Sequence, residues 1–521
     1  MLSNLKARLS ALVEHLLRAL TNPAQHEQSI VLVLGCYVAL WTVYGVLTTA
    51  SQNVDHDMAE LVAWARAPAF GYSKHPPLAA WVVRLWFTFF PVADWSFYLL
   101  GMTYAAVALW LAWCLFGQFL DSEKRVVGLA LLTLIPFFNL NALKFDHNAV
   151  LAPLWAATIL CFIRSFETRG PVWATLAGIA AAAAMLGKYW SIFLIAGLSI
   201  AVVFDARRAY YLRSAAPWIT IGAGALILSP HIIWLLTHNF ISFSYPLTAH
   251  QANSYNSIIF NAVGYLAGAD GSVAQPILVT LIGARPNLST VADMVAPHSP
   301  ERRFVATVFW TPILLPAIVA MLVGVQMNSL WTAPAWLLLP VILLSSPLLL
   351  LSRFAVRRIL TIAILLPLVM IAVAPGIALL AHRTGRNPIA THGPLLAQRV
   401  AREWREATQA PLLLVAGDPE LANVTAFYLP DSVLSFPILE TPLAPAVDTA
   451  RIFRDGIALV CYAHDYPSSE ICMHARVMNA INKIVAASPE ARRIGVEITR
   501  YFIGIPGRST RYLLFLVPPS P

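Results

Sequence analysis

Charged residues are scarce in this chain. They make up 12% of its 521 residues, whereas hydrophobic residues make up 58%; a soluble domain carries about 25% charged residues. This composition excludes an ordinary soluble protein and predicts a membrane protein with many helical spans. The net charge of +9 does not require nucleic acid as a partner, because basic residues at the ends of spans are what the positive-inside rule predicts.

Lysine is rarer still. The chain has six lysines among 35 basic residues, and three of them, Lys74, Lys144 and Lys188, lie in polar stretches between apolar segments. A cleavable signal peptide is not visible. Residues 1–28 instead form an amphipathic stretch, which predicts a cytoplasmic helix lying on the membrane surface.

Apolar segments that approach the length of a membrane span recur along the chain. Ten are clear, and an eleventh at 272–284 is short and interrupted. The ten clear cores lie at 29–49, 94–117, 126–142, 149–163, 171–186, 190–204, 216–237, 304–324, 331–350 and 359–381. The predicted fold is therefore mostly α, a polytopic membrane domain over residues 29–382 with about eleven transmembrane helices.

Basic residues alternate between the two sets of loops. One set, with the N-terminal segment, holds sixteen lysines and arginines, and the other holds five, or seven with Arg383 and Arg386 after the last span. The richer set belongs in the cytoplasm. The N-terminus is then inside and, with an odd number of spans, the C-terminus is outside.

The last part of the chain, residues 383–521, differs from the rest. Short β-rich runs alternate there with helical stretches, which predicts a small extracytoplasmic α/β domain. The runs lie at 411–417, 457–463 and 512–518, and the helical stretches at 395–408 and 468–487. Cys461 and Cys472 are the only cysteines of this region; in an oxidising compartment they are candidates for a disulfide, the alternative being two buried free thiols.

The first outer loop, residues 50–93, is long and carries acidic residues. Residues 55–67 fit a short helix that begins near Asp55 and holds Asp57 and Glu60 on one face. The carboxylates are either a solvated helix N-terminus, favoured by the helix dipole, or groups with a chemical role beside the bilayer.

Between this helix and a second apolar one at 77–90 lies "GYSKHPP", which contains Lys74 and His75. The second helix is expected to lie in the membrane interface, since it is almost wholly apolar. Lys74 is either an anchor that extends to the interface or a ligand for an anionic group.

The next two outer loops are very short and also carry lysine. They read "LKFDHNAV" (143–150) and "LGKYW" (186–190). A lysine ammonium is a compact point charge on a flexible stem, which suits a phosphate that is bound and released. The candidate ligands here, and at the end of the following span, are Lys144, Asp146, Asn148, Lys188, Tyr189 and His231. His231 taken alone favours a packing role.

These motifs, in this order on successive outer loops, resemble the GT-C glycosyltransferases that use polyprenyl-phosphate sugars. That group includes protein O-mannosyltransferases, the lipid A aminoarabinose transferase and rhizobial galacturonic acid transferases. The similar motifs are "DHDMAE" (55–60), "KHPPL" (74–78), "KFDHN" (144–148) and "LGKY" (186–189), within a likeness over about residues 20–381. His75 departs from the Lys-Pro-Pro pattern of the group, and its common Asp-Glu pair is absent.

The resemblance implies an inverting glycosyltransferase of the bacterial inner membrane. It would move a sugar from a polyprenyl-phosphate carrier to lipid A, lipopolysaccharide or another envelope glycolipid or glycan at the periplasmic face. Asp55 or Asp57 would be the catalytic carboxylate and Lys74 would contact the carrier phosphate. Glu60, His75 and the candidates of the two short loops would bind substrate.

Two alternatives stay open at this point. "DHD" also has the Asp-x-Asp spacing that holds a divalent metal in some enzymes, although no cofactor is expected, because the lysines already supply positive charge. A transporter or flippase of lipid-linked sugars would also need lysines near phosphates. It would additionally place charged residues deep within spans, and the spans hold almost none.

Topology is the first testable prediction. Because basic residues are concentrated in one set of loops, reporter fusions should place residue 400 outside and residues near 122 and 210 in the cytoplasm. A cytoplasmic position for residue 400 would contradict both the odd number of spans and an outer-face site.

Overall fold

The structure is a computed structural model that describes residues 2–243, 255–385, 389–437, 449–463, 486, 488 and 490–519. Its residues form two compact units. Unit 1 comprises Met1–Tyr44, Lys74–Leu78 and Tyr98–Ile371, and unit 2 comprises Gly45–Ser73, Ala79–Phe97 and Ala372–Pro521. The first outer loop therefore belongs mainly to the same unit as the C-terminal region.

Helices account for most of the described residues. In chain order they are α1 (Leu2–Thr21), α2 (His26–Thr48), α3 (His56–Arg66), α4 (Leu78–Phe89), α5 (Asp94–Phe116), α6 (Ser122–Thr133), α7 (Leu151–Thr168), α8 (Pro171–Gly187), α9 (Ile192–Phe204), α10 (Arg208–Leu212), α11 (Ala216–Thr237), α12 (Tyr255–Ala284), α13 (Leu288–Val295), α14 (Pro300–Val323), α15 (Leu339–Leu344), α16 (Arg353–Thr384), α17 (Ile389–Ala407), α18 (Pro419–Phe427) and α19 (Thr449–Asp455). Short 3-10 helices lie at Pro136–Phe138, Asn141–Leu143, Tyr189–Ser191 and Ser329–Leu338.

The apolar segments form the expected helices. Six helices in the described part of the chain are long and apolar enough to cross a membrane, and a seventh span results if one bent pair is counted. The six are α2, α5, α11, α12, α14 and α16. All eleven predicted cores fall mostly on helical residues, which confirms the mostly α, polytopic fold, whereas the count of eleven spans is not confirmed.

Proline explains where the predicted spans are broken. The segment expected at 126–142 bends by 79° between Ser122–Thr133 and Pro136–Leu143, because Pro136 has no N–H to continue the helix. The segment expected at 331–350 begins as a 3-10 helix with Pro334 inside it. The weak segment at 272–284 is instead the end of a 30-residue helix, α12.

Glycine brings the second outer loop against α5 in unit 1. A Cβ on Gly101 would lie 2.0 Å from the carbonyl oxygen of Ala142, a distance that no larger residue could keep. Ala142 belongs to the 3-10 turn that ends at Lys144. The close packing therefore determines where the "KFDHN" loop leaves the helical bundle.

Hydrogen bonds attach the first outer loop to the C-terminal region within unit 2. The Arg66 guanidinium donates to the carbonyl oxygens of Ala426 at 2.8 Å and Val433 at 3.1 Å. The Tyr428 hydroxyl accepts from the backbone N–H of Val54 at 2.8 Å and donates to Asp94 at 2.7 Å. The two predicted loop helices are confirmed as α3 and α4.

The C-terminal region contains the predicted α/β fold. Its strands are β1 (Leu414–Gly417), β2 (Leu434–Pro437), β3 (Ile457–Tyr462), β4 (Arg492–Phe502) and β5 (Ile505–Val517). They form one sheet of order β2-β1-β3-β5-β4, parallel from β2 to β3 and antiparallel from β3 to β4. Leu414, Ile457 and Phe515 lie in its apolar core.

The three predicted strand runs are confirmed as β1, β3 and β5, whereas β2 and β4 were not predicted. β2 is only four residues long, and the residues of β4 are largely exposed at one edge of the sheet. Most of the helical stretch expected at 468–487 lies outside the described residues. Cys461 is buried in β3, but Cys472 also lies outside the described residues, so the disulfide stays a prediction.

The buried Asp418 should give unit 2 a distinct pH dependence. Asp418 caps α18 through the backbone N–H of Leu421 and is 3% exposed, and burial raises its pKa from 3.8 to about 6. A raised carboxyl pKa contributes stability that is present below the unfolded pKa and is lost as the pH rises through the folded pKa. Asp418→Asn keeps a capping side chain, so the thermal stability of this variant should increase relative to the parent between pH 4 and pH 7.

Asp455→Asn is the control of opposite sign. Arg454 and Arg451 lower the pKa of Asp455, so this variant should lose stability relative to the parent as the pH rises out of the acid range. A constant difference between Asp418→Asn and the parent at every pH would contradict the raised pKa.

Candidate functional site

Asp146 organises the second outer loop of unit 1. Its Oδ1 accepts from the backbone N–H groups of Asn148 at 2.7 Å and Ala149 at 3.0 Å, and its Oδ2 accepts from the Asn148 side-chain amide at 3.1 Å. The carboxylate thus closes the turn that leads into α7. Its role in the described contacts is to orient Asn148.

Asn148 in turn holds Lys188 of the third outer loop. The Lys188 ammonium donates to Asn148 Oδ1 at 2.7 Å. A carboxylate only accepts and an ammonium only donates, so these two neighbours determine the orientation of the Asn148 amide. The series Asp146–Asn148–Lys188 therefore connects two separate loops and places one cation by hydrogen bonds that polarise one another.

Two further features position Lys188. Its ammonium lies 4.7 Å from the ring centroid of Trp331, a distance at which an aromatic face attracts a cation. A Cβ on the preceding Gly187 would lie 3.0 Å from Leu151, so glycine allows the third loop to pack against the start of α7. Trp331 was not predicted as a site residue, because it begins an apolar segment, where a tryptophan indicates a packing role.

Tyr189 and His231 form a second pair beside this loop. The Tyr189 hydroxyl and His231 Nε2 are 2.8 Å apart, and Tyr189 also stacks on Phe243 with ring centroids 4.6 Å apart. His231 is 3% exposed within α11. This geometry supports a packing role for His231, which holds the residue that follows Lys188.

The segment with Lys74 also belongs to unit 1. The rings of His75 and His147 lie with centroids 4.0 Å apart, and His147 is 7% exposed. The contact sets the Lys74–Leu78 segment beside the "KFDHN" loop. Lys74 and Lys144 are half-buried. Because Lys188 binds Asn148 of the same "KFDHN" loop, the three lysines of the outer loops all lie on loops that contact one another within this unit.

The acidic residues form a cluster within unit 2. Asp55 is the N-cap of α3 and its Oδ1 accepts from the backbone N–H of Asp57 at 3.0 Å. His56 lies 3.7 Å from Asp55, 3.3 Å from Asp57 and 3.9 Å from Glu420. Glu420 comes from α18 and was not predicted, because no sequence signal connects it to a loop more than 350 residues earlier.

The cluster is accessible to solvent. The side chains of Asp55, His56 and Asp57 are 36%, 39% and 43% exposed, and Glu60 is half-buried one turn further along α3. Asp55 caps a helix and remains accessible. It is therefore compatible both with a solvated helix N-terminus and with a chemical role. Asp55, His56 and Asp57 offer three donor atoms within 4.8 Å of one another. That set would fit a divalent cation, and the expectation of no metal stays a prediction.

Three comparisons with known proteins relate this chain to membrane glycosyltransferases. The family described as dolichyl-phosphate-mannose-protein mannosyltransferase matches residues 74–234. That stretch contains Lys74, Asp146, Lys188 and His231. The lipid A galacturonosyltransferase RgtD of Rhizobium johnstonii is 24% identical over 222 residues, which cover 41% of this chain and 44% of that protein.

Two solved structures of ArnT from Cupriavidus metallidurans share the fold over nearly the whole length. The apo structure matches with a TM-score of 0.57 and the structure bound to undecaprenyl phosphate with 0.59, both at 12% identity. Each match covers 93% of this chain and 97% of ArnT. The chain therefore has the GT-C fold, and its resemblance to the GT-C glycosyltransferase group is confirmed.

Proposed function

We propose that this chain is an integral membrane glycosyltransferase of the bacterial inner membrane. It moves a sugar from a polyprenyl-phosphate carrier to lipid A, lipopolysaccharide or another envelope acceptor at the periplasmic face. The similar proteins support the class: one is a lipid A galacturonosyltransferase, and one matched structure is bound to undecaprenyl phosphate.

The proposal rests mainly on one observation, the fixed position of the Lys188 ammonium. Asn148 and Trp331 orient this ammonium, and it lies within the stretch that the mannosyltransferase family matches. A preorganised cation stabilises charge that develops in a transition state without a further cost of reorganisation. A departing lipid phosphate is the group that gains such charge when a sugar is transferred.

The proposed reaction forms one bond and breaks one. An acceptor hydroxyl attacks the anomeric carbon, the bond from that carbon to the carrier phosphate oxygen breaks, and the phosphate leaves with the electron pair. Attack from the opposite side inverts the anomeric configuration. Lys74, with Lys188 or Lys144, binds the phosphate, while Asp55 or Asp57 accepts the proton from the hydroxyl.

The test of this function is mass spectrometry of lipid A and other envelope glycolipids from cells with and without the protein. The protein should add a species heavier by one sugar. Asp55→Asn should leave folding intact, since asparagine also caps a helix, and Asp57→Asn should do so because it is a change of nearly equal shape at an accessible side chain. At least one of them should lower transfer by about 10²–10⁴-fold, the usual contribution of a general base.

The matched control is Glu497→Gln, an exposed carboxylate on β4 of the same unit, which should transfer like the parent. Identical spectra with and without the protein would contradict the proposed function. Full transfer by both aspartate variants would remove the general-base role from Asp55 and Asp57 and make Glu60 the next carboxylate to test.

Lys74 and Lys188 are expected to bind the carrier phosphate. Replacing either by alanine should weaken binding of polyprenyl phosphate to the purified protein by about ten- to a hundredfold, the value of a hydrogen bond to a charged group. Lys74→Arg should recover only part of the affinity, because a planar fork replaces a point charge. Turnover should fall in parallel.

Lys6→Ala is the control, because Lys6 lies in the segment predicted to face the cytoplasm. If Lys74→Ala binds the lipid and turns over like the parent, Lys74 is an interfacial anchor and the phosphate is held by Lys188 or Lys144. If Lys188→Ala also behaves like the parent, the orientation of Lys188 by Asn148 has no role in donor binding.

A further inference from the structure

Unit 1 contains an apolar groove that is lined by none of the three lysine loops. It encloses about 540 Å³ between α9, the start of α14 and the residues that follow α13. Its lining residues are Ile200, Val295, Ala296, Pro297, Arg303, Ala306, Thr307, Trp310, Thr311, Leu314 and Leu315. The groove has one charged residue, Arg303, at the end where α14 begins.

The two threonines of the groove do not make its wall polar. The Thr307 hydroxyl donates to the carbonyl oxygen of Arg303 at 2.9 Å, and the Thr311 hydroxyl donates to that of Thr307 at 2.8 Å. Both hydroxyls are therefore satisfied by their own helix. A wall of this kind suits a hydrocarbon chain and offers little to a polar ligand.

Arg303 is the arginine at the head of the groove, and its charge contributes only at longer range to lowering the pKa of Asp205. Arg302 beside it is bound to Asp293 at 2.7 Å, and Arg207 forms the ion pairs with Asp205 at 2.9 Å and Glu301 at 3.2 Å. Within the described residues Arg303 forms no ion pair of its own, and it is exposed. The head of the groove thus presents one guanidinium, that of Arg303.

The length of the groove matches one leaflet of a bilayer. Its lining on α14 extends from Arg303 to Leu315, about 18 Å of helix at ~1.5 Å per residue. A leaflet contributes about 15 Å of hydrocarbon, half of the ~30 Å core. An acyl chain along this wall would therefore have its headgroup near the guanidinium.

From these observations we infer that the groove binds an anionic phospholipid, with an acyl chain along Thr307, Trp310 and Leu314 and the phosphate beside Arg303. Arg303 lies in the set of loops rich in basic residues, which is predicted to face the cytoplasm, where anionic lipid attracts such residues. The site is independent of the proposed transfer reaction, whose candidate residues lie on the other set of loops.

The experiment is native mass spectrometry of the delipidated full-length protein titrated with phosphatidylglycerol or phosphatidylethanolamine. The parent should bind one phosphatidylglycerol more tightly than phosphatidylethanolamine. Arg303→Gln should weaken phosphatidylglycerol binding by about fivefold, the effect of one arginine at an anionic surface. Thr307→Phe, which fills the groove without removing a charge, should weaken the binding of both lipids.

Each variant has a matched control. Arg358→Gln removes an exposed arginine at the start of α16, and Val323→Phe adds the same ring at a position on α14 that is 56% exposed and outside the groove. Both should bind lipid like the parent. Equal affinity for the two lipids, an equal loss in Arg358→Gln, or no loss in Thr307→Phe would overturn the inference, as would a dimer that binds no lipid because a second copy covers the groove.

Discussion

The attachment of the first outer loop to the C-terminal region is the constraint on which the acidic cluster depends. A loop of more than forty residues beside a membrane has many conformations, and fixing each residue costs conformational entropy. Arg66 and Tyr428 offset this cost through hydrogen bonds to the backbone groups of Ala426, Val433 and Val54. The same attachment brings α18 beside α3, and with it Glu420 beside His56.

Arg500 and Lys188 have different tasks in this protein. Arg500 donates to the carbonyl oxygens of Gln52, Thr391 and Ala50, so its planar fork joins three segments of unit 2 at once, as only arginine can. Lys188 instead presents a point charge held by one amide and one aromatic face. Lys188 therefore offers its charge to a ligand, whereas Arg500 ties the fold together.

The fold class and the ligand-bearing loops could be predicted because each depends on local pattern. Continuous apolar composition indicates helices in a membrane, since every backbone polar group must be satisfied within its own segment. The short loops between such helices leave few positions for Lys188, Asp146 and Asn148, so these residues stood out. The C-terminal strands β1, β3 and β5 were recognisable as buried apolar runs, whereas the exposed β4 resembled loop sequence.

What the sequence by itself determined was therefore the helical membrane domain, the appended α/β domain and the identity of the polar residues between spans. Only the tertiary structure decided that Asp146 orients Asn148, that Trp331 lies beside Lys188, and that Glu420 joins the acidic cluster. It also decided that Arg303, and not Arg302, faces the apolar groove. The physical reason is that Trp331 and Glu420 meet their partners from distant parts of the chain, while Asp146 and Arg302 take partners that only the folded backbone defines. Periodicity and composition describe neither kind of contact.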